Sequence, residues 1–196
     1  NFDLFDPEVM PLLEMHSCHR NHEHVAQDAL RRGLRVGFIG GSDDHRGAPG
    51  DSRPGARDRF FSTGSGLVAV YAEELTRKAL WEAFFARRTY ATDGARMVVD
   101  FRVNDVLMGG ELSVPAGEPL HFRMWAHLDG LLDCMDLVRS DGTSEHFIRP
   151  ANQVPETEFT HEEPAPSEPT AYYLRVRQAD GGTAWTSPVW VTPETE

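Results

Sequence analysis

Lysine is almost missing from this chain: Lys78 is the only one in 196 residues, so nearly all basic side chains are arginines. Base composition of a genome is enough to produce that bias, and it carries no functional weight here. Cysteine is nearly as scarce. Cys18 and Cys134 are the only two and lie far apart in sequence, which excludes a disulfide framework. No apolar run is long enough to span a bilayer, and no charged, apolar and small-residue signal pattern opens the chain. Asn1 rather than Met stands first, which reads as a boundary inside a longer protein, a processed end or an expression boundary. Motifs for several chemistries are absent too. Gly64-Ser65-Gly66 lacks the spacing of a G-x-S-x-G nucleophile elbow, and neither a Walker loop nor G-x-G-x-x-G occurs. Positive charge is in deficit, with a formal net charge of −12. Such a surface repels a phosphate backbone, so neither nucleic acid nor membrane is an expected partner. A small anionic substrate stays admissible because a bound metal inverts the local field.

What remains is ordinary globular material, 40% hydrophobic and 26% charged, enough for real cores. The chain changes character near Ala95, giving expected units at residues 1–95 and 96–196. In the first, Met10–Met15 reads as a buried strand, Glu23–Arg32 as a helix stopped by Gly33, and Leu34–Ile39 as a buried strand of a parallel sheet. Arg46–Thr63 reads as a long loop, Gly66–Tyr71 as a strand, and Arg77–Arg88 as a helix capped by Thr76. After Met97 the period is two: Val99, Phe101 and Val103, then Leu120, Phe122, Met124 and Ala126, then Leu174 and Val176. Turn residues at Asn104-Asp105, Asp129-Gly130, Asp141-Gly142 and Asp180–Gly182 separate these runs, which predicts a β-sandwich. Pro150–Pro169 reads as a long loop enclosing one weak strand.

Two stretches carry chemistry. Asp43-Asp44-His45 leaves a buried strand through Gly40 and Gly41, so a carboxylate and an imidazole two residues apart can face one pocket. That donor pair suits zinc, iron or manganese; the competing reading is a solvated loop with capping aspartates. Glu14 to His19 follows the other strand, and four histidines, His16, His19, His22 and His24, fall within nine positions. The competing reading there is an exposed polar loop with some histidines on the next helix. Cys18 among them reads as a small, partly buried residue before it reads as a ligand or a nucleophile.

Leu13-Glu14, His19, the run Gly37-Phe-Ile-Gly-Gly-Ser-Asp-Asp-His45 and the run Arg87-Arg-Thr-Tyr-Ala-Thr92 resemble, in this order, the PHP (polymerase and histidinol phosphatase) superfamily. Their nearest likeness is to its large bacterial members akin to carbaryl hydrolase. The resemblance spans roughly residues 8–105. It implies the C-terminal part of a distorted (β/α)7 barrel, here followed by the β-sandwich, with two or three divalent ions (Zn, Mn or Fe). On that reading Asp43 and His45 are the family's last D-x-H pair, His19 its later single histidine, and Glu14 a ligand or its neighbour. The earlier ligands are absent from this chain, so an upstream segment or a second chain would have to supply them, and a homo-oligomer is a further option.

The function so implied is metal-assisted hydrolysis of a phosphoester, or of an ester, carbamate or amide, with Arg46 or Arg53 steadying an anionic small-molecule substrate. The alternative is a non-catalytic β-sandwich binding or structural module beside a degenerate barrel remnant. In that case Trp125, Trp185 and Trp190 form either a ligand face or packing.

Overall fold

The computed structural model describes residues 2–45, 47, 64–147 and 156–194. The elements in chain order are β1 (Leu12–His16), α1 (Glu23–Arg31), β2 (Gly37–Gly40), β3 (Leu67–Val70), α2 (Arg77–Phe85) and β4 (Thr89–Thr92). There follow β5 (Val98–Val103), β6 (Val106–Leu107), β7 (Glu111–Val114), β8 (Pro119–His127) and β9 (Leu132–Arg139). The last are β10 (Ser144–Phe147), β11 (Glu156–Pro164), β12 (Thr170–Gln178), β13 (Thr183–Thr186) and β14 (Val189–Pro193).

Local chemistry sets most of these boundaries. The Thr76 hydroxyl accepts the Ala79 amide at 3.2 Å and starts α2. Gly33, at φ +74°, ends α1, and the Leu34 amide then reaches back to the Ala29 carbonyl at 3.0 Å. Each helix is only nine residues long and buries little: Ala26, Ala29 and Leu30 in α1, and Ala83 in α2. Helices this short do not persist without tertiary contacts.

The strands form three sheets. β1 and β2 pair in parallel, with Leu13 opposite Phe38, as expected for Leu34–Ile39. The largest sheet runs β10-β9-β12-β13-β4-β3, with β14 also on β12 and β7 on β14. It draws strands from both sides of residue 95. The third runs β11-β8-β5-β6. The two larger sheets stack through one core, in which Val99, Phe101, Phe122 and Met124 meet Leu137, Leu174, Val176 and Val189.

The large sheet is also covered on its outer face. Met15 from β1, Ala26 and Leu30 from α1, and Phe38 from β2 pack there against Val138, Tyr173, Trp185 and Trp190. Alternation inside the central strands therefore sorts residues between two cores. Tyr172, Leu174 and Val176 of β12 face one, and Ala171 and Tyr173 face the other. Trp185 and Trp190 are 2% and 5% exposed, so both are packing residues rather than a ligand face.

This topology corrects the expected (β/α)7 barrel and the membership in the PHP superfamily that implied it. Among the described residues there are two short α-helices, and the sheets are open and mixed. The decisive pair is β3 and β4. They flank α2 in the order of a crossover unit, yet Leu67 to Val70 pair antiparallel with Thr92 to Thr89. A barrel repeat requires parallel strands on either side of its helix, so this pairing rules out the barrel that the resemblance implied. Among the described residues no helix is long and apolar enough to cross a membrane.

One polar cluster locks the outer layer down. The Glu23 carboxylate, on α1, accepts from the Tyr173 hydroxyl at 2.5 Å, Arg175 Nη1 at 2.9 Å and Trp185 Nε1 at 3.1 Å. Glu23→Ala leaves three inward-facing donors without their acceptor. Its expected cost is about 3 kcal/mol, read as a lower urea midpoint at unchanged m-value; a shift below about 0.5 kcal/mol would remove this cluster from the account of stability.

Candidate functional site

The loops leaving β1 and β2 are stitched together beyond the strands. The Gly41 amide donates to the His16 carbonyl at 3.0 Å, Cys18 N–H to Ser42 at 3.0 Å, and Gly66 N–H to Gly41 at 2.8 Å. Close packing makes this possible. A Cβ on Gly40 would stand 2.5 Å from the Leu67 carbonyl oxygen and 2.8 Å from that of Thr92. On Gly66 it would stand 2.7 Å from the Thr92 oxygen and 2.9 Å from that of His16. The ends of β1, β2 and β4 and the start of β3 thus meet backbone to backbone.

On this junction stand His19, Asp43 and His45. One ligand atom from each lies within 4.8 Å of the others. His45 Nε2 is 2.9 Å from Asp43 Oδ1, and His19 Nε2 is 3.2 Å from Asp43 Oδ2. The two imidazoles are 4.9 Å apart between centroids. Asp43 and His45 both take positive φ, 46° and 60°. That conformation is uncommon for residues with a side chain, and here it accompanies two side chains brought together from one tight turn. A carboxylate between two imidazoles is a donor set that fits a divalent transition ion, and side-chain exposures of 31% to 66% leave it open to solvent.

The remaining expected residues fall elsewhere. Glu14 is not among the three gathered residues, although its carboxylate oxygen would lie 2.6 Å from a Cβ on Gly41. Burial, then the charge of Asp43, raises its pKa above the usual carboxylate value, with Ser17 and His19 opposing. His16 is a core residue, 5% exposed, whose Nε2 donates to the Gly64 carbonyl at 2.9 Å and whose ring stacks on Trp185. His22 sits at the start of α1, where burial and then the charge of Arg20 hold it below its ordinary value. Cys18 is buried and its thiol donates to the Asp43 carbonyl at 3.3 Å. Arg46 and Arg53 lie outside the described residues, as does most of the Arg46–Thr63 loop.

Two further groups gather ligand atoms within 4.8 Å, and the sequence reading missed both: Cys134 with Asp136 and His146, and Glu145 with His161 and Glu163. Cys134 and Asp136 share one face of β9, which an i, i+2 spacing could have signalled. His146 reaches them only because it lies opposite Asp136 in the β9–β10 register. The Glu145 group reads as an ion network. Arg139 holds both oxygens of Glu163, Nε to Oε1 at 3.3 Å and Nη2 to Oε2, and Tyr172 also donates to Oε1 at 2.9 Å.

The chain is thus a layered, β-rich protein with isolated groups of side chains that could chelate metal. Residues 50–116, about a third of the chain, match a family described as a protein of unknown function (DUF3604). An uncharacterized protein of Chlamydia pneumoniae is 34% identical over 177 residues, 84% of this chain and 28% of that protein. Uncharacterized proteins of Chlamydia muridarum and Chlamydia trachomatis are each 30% identical, over 87% of this chain and 29% of theirs. The chain therefore spans less than a third of the length of the relatives it matches.

Gly40→Ala drives a methyl group into two backbone carbonyls and should cost about 2–3 kcal/mol; thermal unfolding within a degree of wild type would show that the junction yields. A second outcome concerns acid. Burial pushes the Glu163 carboxyl up, but the hydrogen bonds of Arg139 and Tyr172 and the Arg139 charge outweigh it and hold the group below its ordinary value of 4.5. A depressed folded value stabilises the fold above the unfolded pKa and loses that contribution as pH falls through the folded one. Urea unfolding of Glu163→Gln should therefore show a shallower loss of stability than wild type between about pH 5 and pH 3. Equal slopes would contradict this account.

Proposed function

We propose that this chain is a non-catalytic, metal-binding module of a longer polypeptide, with one divalent transition ion held by His19, Asp43 and His45. The observation that carries this reading is the convergence of three ligand atoms, from loops that follow two different strands, within 4.8 Å. His19 is brought by the turn between β1 and α1, and Asp43 and His45 by the loop after β2, so the ion would clip the two loops together. The imidazole and carboxylate set favours zinc or manganese-class ions over calcium, which prefers a larger all-oxygen shell.

The expected hydrolase of the PHP type is corrected by the same geometry. Catalysis there draws on two or three ions within one barrel mouth, whereas the described residues form separate groups on open sheets.

Metal analysis by mass spectrometry on the chain as purified, beside Asp43→Ala/His45→Ala, tests the reading. Wild type should retain zinc, manganese or iron near stoichiometry at these residues, and the double variant should lose that share. Chelation should lower the melting temperature of wild type by several degrees and that of the variant by clearly less, since an ion bound only to the folded state stabilises it. Equal metal content in the two proteins would sink the proposal.

A further inference from the structure

We propose a second, independent cation site of thiolate character on the outer face of the large sheet, formed by Cys134, Asp136 and His146 and suited to zinc. The three donors come from two neighbouring strands. Cys134 and Asp136 project from the same face of β9, and His146 on β10 stands directly opposite Asp136. Their ligand atoms already lie within 4.8 Å of one another. Zinc bonds to sulfur and nitrogen of about 2.0–2.3 Å imply ligand separations reached by shifts on the order of 1 Å.

Two arginines stand beside this group, and where they bind decides the case. Arg175 donates to Asp136 Oδ2 at 2.8 Å, and Arg177 Nη2 lies 3.7 Å from the same oxygen. The other oxygen, Oδ1, is turned to His146 Nδ1. The carboxylate is thus divided, with one oxygen held by guanidinium and the other directed into the group. A ligating carboxylate oriented by a second hydrogen-bonding partner has this form. The contrast with Glu163 is direct, because there Arg139 takes both oxygens. Arg177 donates to Cys134 Sγ from Nε at 3.1 Å and Nη2 at 2.9 Å, which aligns two positive dipoles on the sulfur. Asp136 and Cys134 are 2% and 1% exposed, while the His146 side chain is 46% exposed. An ion would therefore enter past the imidazole, bind sulfur, nitrogen and one oxygen, and keep a fourth position for water. Binding replaces the hydrogen bond between His146 and Asp136 and releases the thiol proton to solvent.

Titration of the reduced 196-residue chain with Co²⁺ under anaerobic conditions tests this separately from the first site. Wild type should develop the near-ultraviolet thiolate-to-cobalt charge-transfer band, and excess Zn²⁺ should abolish it. The band should persist in Asp43→Ala/His45→Ala and in Cys18→Ser, and vanish in Cys134→Ser. His146→Ala, at a half-exposed position, should weaken Co²⁺ binding at this band by at least about tenfold; it decides the matter if Cys134→Ser fails to fold by circular dichroism. No band in wild type, a band that survives Cys134→Ser or is lost with Cys18→Ser, or unchanged affinity in His146→Ala would each overturn the proposal.

Discussion

The carboxylate of Glu23 is the contact on which the outer layer of this protein depends. Helix α1 is too short to be stable alone and offers only Ala26, Ala29 and Leu30 as buried apolar side chains. Three donors from the large sheet, on Tyr173, Arg175 and Trp185, converge on that one carboxylate and fix where the helix lies. The preceding turn carries His19, and the helix leads into β2 and the loop of Asp43 and His45. Placement of the candidate metal residues therefore follows from a hydrogen-bond cluster that contains none of them.

The same cluster extends to the second proposed site. Arg175 bridges Glu23 and Asp136, so the guanidinium that docks the helix also orients the carboxylate in the cysteine-containing group. One cation shared between the buried Asp136 and the partly buried Glu23 offsets their mutual repulsion, and each of the three charges depends on the others for its compensation. A strand buried on both faces must still place its polar residues somewhere. β12 does so by putting Arg175, which meets Glu23 of α1, and Arg177, which meets Cys134, on the outer face, and leaving Tyr172, Leu174 and Val176 to the inner core.

Glycine packing completes the arrangement. Gly40 and Gly66 permit the ends of four strands to approach to backbone contact. The loops carrying His19 and Asp43 are then tied by main-chain bonds between Cys18 and Ser42 and between Gly41 and His16. Side chains on such a base are held by the scaffold more than by one another.

Local patterns in the sequence determined much of this protein. Alternation at Val99, Phe101 and Val103 and at Leu120 to Ala126 defined β5 and β8, the caps at Thr76 and Gly33 bounded the helices, and Asp43-x-His45 marked a turn that places two potential ligands together. These are properties of neighbours in the chain, set by side-chain period and backbone preference. The period-two runs could not show which strands pair. The family resemblance implied a parallel barrel, while β3 and β4 on either side of α2 pair antiparallel. Thr89–Thr92, named in the sequence only as part of the run Arg87–Thr92, is a fully buried strand between β3 and β13. The union of Cys134 and Asp136 with His146, and of Glu23 with Tyr173 and Trp185, also required the tertiary structure. Pairing direction and register are choices made between segments far apart in the chain, and they turn on which faces can be buried at once, a quantity no single segment contains.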